Sequence, residues 1–343
     1  MQEGVPRHFR VILGGRNAGQ RPSSGGPENR FQTLLWIYEA LDSYGLDSAE
    51  LARRCSFPAL HGDEERHLAV SGGQDSLALV VLALLCGQQP VAHHVDHGLR
   101  PGSDREAEHV ERELSKLSVE LRRHRVEVRS GPNLEERARA ARFGVLPIGI
   151  ATGHTVDDQA ETVLINLLRG TSSAGIAAMR PGATHPILGI RRSETAMICR
   201  ALDLVPIDDQ SNRDLSFLRN RIRHEVIPLL CDVAKRDVTP LLARTAAQVR
   251  SDIDLVDALI GERSISTVAE LRAMDERLAR RLLREKIGAV SSLVLSSFHS
   301  QRALDVGLSR IRSTSLPNGY SLTMERDGLV LRNAHGQVLW SCR

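Results

Sequence analysis

Residues Leu68 to Leu79 read LAVSGGQDSLAL, and this stretch restricts the fold more than any other. Leu68-Ala69-Val70 is a short apolar run, Ser71-Gly72-Gly73-Gln74-Asp75-Ser76 is a polar break, and Leu77 to Leu85 is strongly apolar. The order predicts a buried strand, a tight loop and a buried helix. Gly72 and Gly73 have no side chains, so backbone N–H groups can come close to an oxyanion. The helix start adds unpaired N–H groups and a positive dipole end. Ser71 and Ser76 can add hydroxyl donors, and Gln74 stands among them. The Gly-Lys-Ser/Thr ending of a Walker A loop is missing. Asp75 is the discordant member. An acid beside phosphates is repelled unless a cation lies between, so Asp75 points to Mg²⁺. The plainer alternative is a Ser-Gly-Gly turn with an acid at a helix start.

The rest of the first two thirds alternates in the same way. Val91–Val95 reads as a second strand ending at Asp96, and Leu121–Val128 as a third. Ile148–Thr152 reads as a fourth strand, followed by Gly153-His154. Helical spacing is expected over Phe31–Arg54, Asp104–Leu117, Leu134–Phe143 and Asp157–Leu168. Strands that alternate with helices predict an α/β fold with a parallel sheet. Ligands of such sheets bind at the carboxyl ends of the strands. Asp75, Asp96 and His154 each follow an apolar strand by a few positions, which argues for a single site there.

After Pro228 the character changes. Val238 to about Ile287 is mostly helical with arginine-rich faces, and Ser321–Leu339 reads as a β-hairpin turning at Arg326-Asp327-Gly328. We expect residues 1–30 to be a disordered extension, or an over-long reading of the gene start, because Gly, Pro, Arg and Asn dominate them. Residues 31–234 form the α/β domain, and residues 235–343 a smaller, mainly helical domain with a terminal hairpin.

Composition limits the partners. Aromatics make up 3% of the chain, which disfavours base stacking as the main binding mode. A net charge of +3 by itself implies no polyanion. Only Lys116, Lys235 and Lys286 are lysines, so the remaining basic residues are arginines. That suits bidentate phosphate contacts, and it can equally reflect genome base composition. Cys55, Cys86, Cys199, Cys231 and Cys342 include no C-x-x-C pair, so neither a zinc site nor a redox pair is signalled, and a reducing cytoplasm is expected. Leu77–Leu85 is too short to span a bilayer, and no membrane association is expected.

Three further blocks carry chemistry. In His94-Val95-Asp96-His97-Gly98-Leu99-Arg100, Asp96 and Arg100 would contact a nucleotide. A metal site is disfavoured because His93 and His94 alternate faces on a strand. In GHTVDDQAET, His154, Asp158 and Glu161 fall at i, i+4 and i+7, on one helical face. Such a face could hold an amine, hold Mg²⁺ or accept a proton, or it could be an acidic helix start that satisfies the dipole. In DQSNRDLSFLRNRIRHEVIPLL, Arg219, Arg221 and Arg223 suit phosphates or an adenylate, with a solvated charged face as the alternative.

SGGQDS resembles the signature loop of the N-type ATP pyrophosphatases, which cleave ATP between its α and β phosphates. Taken in order over about Leu68–Leu230, the four blocks closely resemble the tRNA(Ile)-lysidine synthetases. The resemblance implies a PP-loop ATP pyrophosphatase domain and ATP-dependent ligation of free L-lysine to C2 of the wobble cytidine of a tRNA(Ile) with a CAU anticodon. ATP first adenylates the cytidine, and the lysine amine then expels AMP. It implies that Ser71, Gly72, Gly73, Gln74 and Ser76 bind ATP and that Asp75 holds Mg²⁺. It also implies that His154, Asp158 and Glu161 recognise lysine and that an arginine, for which we take Arg221, offsets adenylate charge. A tRNA-thiolating PP-loop enzyme and an inactive tRNA-binding homologue are the alternatives. The short Gly144–Pro147 connection prompts the second of these, because the family usually has a longer one. The sequence leaves the oligomeric state open, with a homodimer as one option.

Overall fold

The computed structural model describes residues 27–59, 64–96, 103–126, 144–261, 263–326 and 328–342. Arg100, the expected helix Leu134–Phe143 and nearly all of the expected N-terminal extension lie outside them. The chain divides into two compact units, Met1–Arg250 and Ser251–Arg343.

In the first unit, helices α1 (Pro27–Ser43) and α2 (Ser48–Arg53) precede strand β1 (Arg66–Ala69). The helical spacing of Phe31–Arg54 is therefore split in two. Gly45 breaks it at φ +71°, a conformation that glycine adopts without strain, and Asp47 caps the new helix through the Glu50 N–H. The loop Val70–Gly73 leads into α3 (Gln74–Leu85), then β2 (Pro90–Asp96), α4 (Ser103–Ser115) and β3 (Glu120–Arg125). The strands form a parallel sheet in the order β1-β2-β3, with Leu68 opposite Ala92 and Ala92 opposite Leu121. Helix α3 is apolar all round because it is enclosed all round. Leu77, Leu79, Val80, Val81 and Leu82 are fully buried in the core that it shares with α1 and the sheet.

The expected fourth strand is reduced to one residue. Ala151 alone bridges Leu68, donating its N–H to His67 O at 3.0 Å and accepting from Ala69 N–H at 2.8 Å. Pro147 and Gly149 (φ +77°) turn the chain just before it, and Ile148 is fully exposed. The bridge still delivers Gly153 and His154 to the end of β1, where the loop is. Helices α5 (Val156–Leu168), α6 (Ser173–Ile176) and α7 (Arg192–Ala201) follow. Then come α8 (Leu218–Arg221), a π-helical turn (Ile222–Val226) and α9 (Ile227–Ala234). Helix α10 (Thr239–Ile260) contains the division between the units.

In the second unit, α11 (Val268–Ala273), α12 (Glu276–Ser291) and α13 (Ser297–Gly307) pack with an antiparallel sheet around Leu271, Leu283, Ile287, Leu304, Leu322 and Leu331. The sheet order is β4 (Ser313–Ser315), β5 (Ser321–Glu325), β6 (Gly328–Arg332), β7 (Val338–Cys342). The expected hairpin is its centre, with Met324 opposite Leu329. Asp327 of its turn lies outside the described residues. Among the described residues no helix is long and apolar enough to cross a membrane.

Candidate active site

The loop is shaped by its own polar groups. Ser76 Oγ donates to Gly73 O at 2.8 Å, and Ser71 Oγ lies 3.3 Å from Ser76 Oγ. Gly72 stands at φ +88°, and its carbonyl accepts from Ile207 N–H at 2.9 Å, which ties the loop to the segment after α7. Gln74 turns away from the loop, and its Nε2 donates to Arg192 O at 3.2 Å. Asp96 is buried at the end of β2, where its backbone carbonyl accepts from Val126 N–H at 2.9 Å.

Gly153 brings the second block against this loop. A Cβ there would lie 2.8 Å from Asp75 O and 2.9 Å from Asp75 C, both backbone atoms that cannot swing aside. We expect Gly153→Ala to cost about 1–3 kcal/mol of stability, as overpacking does, and to weaken ATP binding by displacing the start of α3. Denaturant unfolding and the KM for ATP would check this. An unchanged KM would mean that the loop does not depend on this approach.

His154 is not on a helical face with the two acids, because α5 starts only at Val156, after the N-cap Thr155. It stands beside the helix entry, with Nδ1 2.7 Å from Thr152 Oγ1 and its ring 5.1 Å from that of His185. Asp158 is the N3 residue of the capping box. Its Oδ2 accepts from Thr155 N–H at 2.8 Å, which leaves Oδ1 for the site.

Three arginines converge on the acids. Arg192 spreads its guanidinium over three carboxylates, with Nε 3.0 Å from Asp75, Nη2 2.8 Å from Asp158 and Nη1 3.0 Å from Glu161. Arg219 Nε donates to Glu161 at 2.7 Å and its Nη2 to Asp158 at 3.2 Å. Arg223 grips Glu161 with both Nε (2.7 Å) and Nη2 (3.1 Å). Both oxygens of Glu161 are thus taken twice, and the residue is 1% exposed. Three carboxylates and three guanidiniums leave the cluster close to neutral.

The ionisation follows from these contacts. Burial raises the Asp158 carboxyl, but Arg192, Arg219 and the Thr155 N–H overcome it and hold the group at about 2. Glu161 is also lowered against its burial, mainly by Arg223 and Arg192. At Asp75 burial wins and raises the carboxyl despite Arg192 and Thr195. The Arg192 guanidinium is held above its ordinary value, since the carboxylates outweigh its burial.

Residues 49–230 match the PP-loop domain family. A tRNA(Ile)-lysidine synthase of Mycobacterium tuberculosis is 38% identical over 301 residues, which span 77% of this chain and 90% of that protein. The chain belongs to the tRNA(Ile)-lysidine synthase family. The Nocardia farcinica tRNA(Ile)-lysidine synthase is 43% identical over 204 residues, with 57% of this chain and 64% of that protein covered. That of Gloeobacter violaceus is 37% identical over 263 residues, covering 71% and 77%.

Within this lysidine synthase framework the three candidate arginines separate. Arg219 and Arg223 are four apart on one helical face and reach the acids. Arg221 lies between them and pairs instead with Glu225 at 3.0 Å, well exposed. Arg192 is the residue that the four sequence blocks leave out, yet it is the hub of the site. A signal was available, because a cation at the first position of α7 opposes the helix dipole and needs acids elsewhere to hold it. Its neighbour Arg191 is bound by Asp157 and Asp237. Cys199 lies close to the loop, with Sγ 3.5 Å from Gln74 O. It is buried, and burial pushes its thiol up to about 12.

Proposed function

We propose that this chain ligates free lysine to C2 of the wobble cytidine of tRNA(Ile) with a CAU anticodon. The C2 oxygen of the cytidine takes the adenylyl group of ATP and pyrophosphate leaves. The side-chain amine of lysine then attacks C2, and AMP departs with that oxygen. The observation that carries this reading is the match to a lysidine synthase over 90% of that relative's length. The lysidine synthase relatives favour the ligase over the thiolating alternative, and the cysteines include no C-x-x-C pair.

The residues can be assigned roles on that reading. Backbone N–H groups at Gly72 and Gly73, with the Ser71 and Ser76 hydroxyls, receive the β and γ phosphates. Mg²⁺ is commonly held by one or two carboxylates together with phosphate oxygens, and Asp75 supplies one carboxylate at the loop. Asp75 would then share its charge between the ion and Arg192. Bound there, Mg²⁺ would neutralise the leaving pyrophosphate. Arg219 and Arg223 would offset adenylate charge. Lysine's ammonium must lose a proton before it attacks. Asp158, held at about 2, is a poor acceptor and serves to attract the cation. His154 is the group suited to take the proton. The cytoplasm is the expected setting, and residues 235–343 would bind tRNA.

The deciding experiment follows labelled lysine and labelled sulfur into tRNA(Ile) in the presence of ATP. Lysine incorporation supports the ligase. Sulfur incorporation would establish the thiolating enzyme, and tRNA binding without either would establish an inactive homologue. If arginines bind the tRNA phosphates, affinity should fall steeply with salt. Replacing the exposed Arg244 and Arg280 together should reduce the log–log slope by about 1–2, at roughly 0.7–0.9 per phosphate contact. An unchanged slope in the double variant would remove these two from the interface.

A further inference from the structure

We propose that Arg192 is a positioning residue that couples occupancy of the phosphate loop to lysine binding, so that lysine binds well only once the nucleotide is in place. This rests on the ligase reading above. Arg192 touches the loop acid Asp75 and also the amine-side acids Asp158 and Glu161, using a different nitrogen for each. The three carboxylates and three guanidiniums of the cluster nearly balance, and each Glu161 oxygen accepts from two guanidinium nitrogens. An ammonium arriving then must displace an arginine and makes the cluster cationic. ATP phosphates change the sign of this problem. They bring negative charge to the loop beside Asp75, and guanidinium groups drawn toward them release the acids. The ammonium of lysine then restores neutrality. Coupling of this kind is reciprocal, so lysine should tighten nucleotide binding by the same factor.

The fork geometry matters as well as the charge. A lysine at this position gathers its three N–H donors on one nitrogen and does not reproduce the spread of three guanidinium nitrogens over three carboxylates. Arg192→Lys therefore keeps the charge and loses the bridge. Arg192→Gln loses both and leaves buried carboxylates short of a partner, so it is the variant more exposed to misfolding.

The test is lysine binding by calorimetry to the full-length protein, with and without a non-hydrolysable ATP analogue and Mg²⁺. Folding of each variant is checked by circular dichroism. For the unmodified protein we expect the analogue to tighten lysine binding about 5–150-fold, the usual range of such coupling. In Arg192→Lys the ratio should fall close to 1, because lysine binding no longer senses the loop. A merely structural role would weaken both measurements and leave their ratio unchanged. A ratio of 1 in the unmodified protein, or an unchanged ratio in a folded Arg192→Lys, overturns the proposal. Lysine incorporation into tRNA by the unmodified protein is measured in parallel. Incorporation with a ratio of 1 defeats the coupling alone, whereas absence of incorporation defeats the ligase reading.

Discussion

Asp75→Asn should reduce tRNA-dependent pyrophosphate release by at least about 10²–10³-fold, the scale on which removal of one preorganised electrostatic group acts. The fold should survive. An amide oxygen can still accept from Thr195 Oγ1, which now donates to Asp75. What disappears is the negative charge at the loop, the one carboxylate there suited to a cation that travels with phosphates. Arg192 would also lose one of its three carboxylates, leaving the cluster positive. Affinity for tRNA should be almost unchanged, because Asp75 stands half-buried in the first turn of α3, beside the phosphate loop, rather than on an exposed basic surface. Pyrophosphate release and filter binding of tRNA, measured on the same preparation, separate the two effects. Near-normal turnover in the Asn variant would take Asp75 out of the mechanism.

The second large effect is expected at Glu161 and Asp158. Glu161→Gln removes the charge that faces Arg192, Arg219 and Arg223 while almost wholly buried. Breaking a buried ion pair from one side typically costs about 3–5 kcal/mol, because the remaining charge stays buried and uncompensated. We therefore expect Glu161→Gln to lower stability markedly in denaturant unfolding. Asp158→Asn should do less damage to the fold, since its amide oxygen can keep the Thr155 cap. Its lysine requirement should rise sharply, by up to about 2–5 kcal/mol of lost binding if the pair is buried, with adenylation much less affected. Separate assays of tRNA adenylation and lysine incorporation would show this, and equal losses in both steps would assign Asp158 to ATP or the fold. The pH dependence has a definite sign. The Asp158 carboxyl is depressed to about 2, so its stabilising contribution is complete above its ordinary value and is lost as pH falls toward 2. Glu161, also depressed, acts in the same direction.

Much of this architecture was legible from local pattern. The strand, glycine loop and apolar helix around Ser71–Ser76 appear where the periodicity placed them, as do β2 ending at Asp96 and α5 carrying Asp158 and Glu161. Local pattern failed where neighbours override it. Ile148–Thr152 has the composition of a strand, but Pro147 and Gly149 turn the chain until only Ala151 can pair. Helical spacing placed His154 with the acids, although Thr155 caps the helix one residue later. A period of 3.6 predicts which residues share a face only after the first helical residue is known.

Sequence by itself determined the parallel α/β framework and the phosphate loop, and it pointed to one site at the strand ends through Asp75, Asp96 and His154, with Asp158 and Glu161 on the helix that follows His154. Only the tertiary structure decided how their charges are compensated. Arg192 lies 117 residues from Asp75 and 34 from Asp158, and Arg223 lies 62 from Glu161. No periodicity connects such positions. Their pairing follows from the folded chain, in which acids buried at the loop had to find guanidinium partners and Arg192, opposed by the dipole of its own helix, had to find acids.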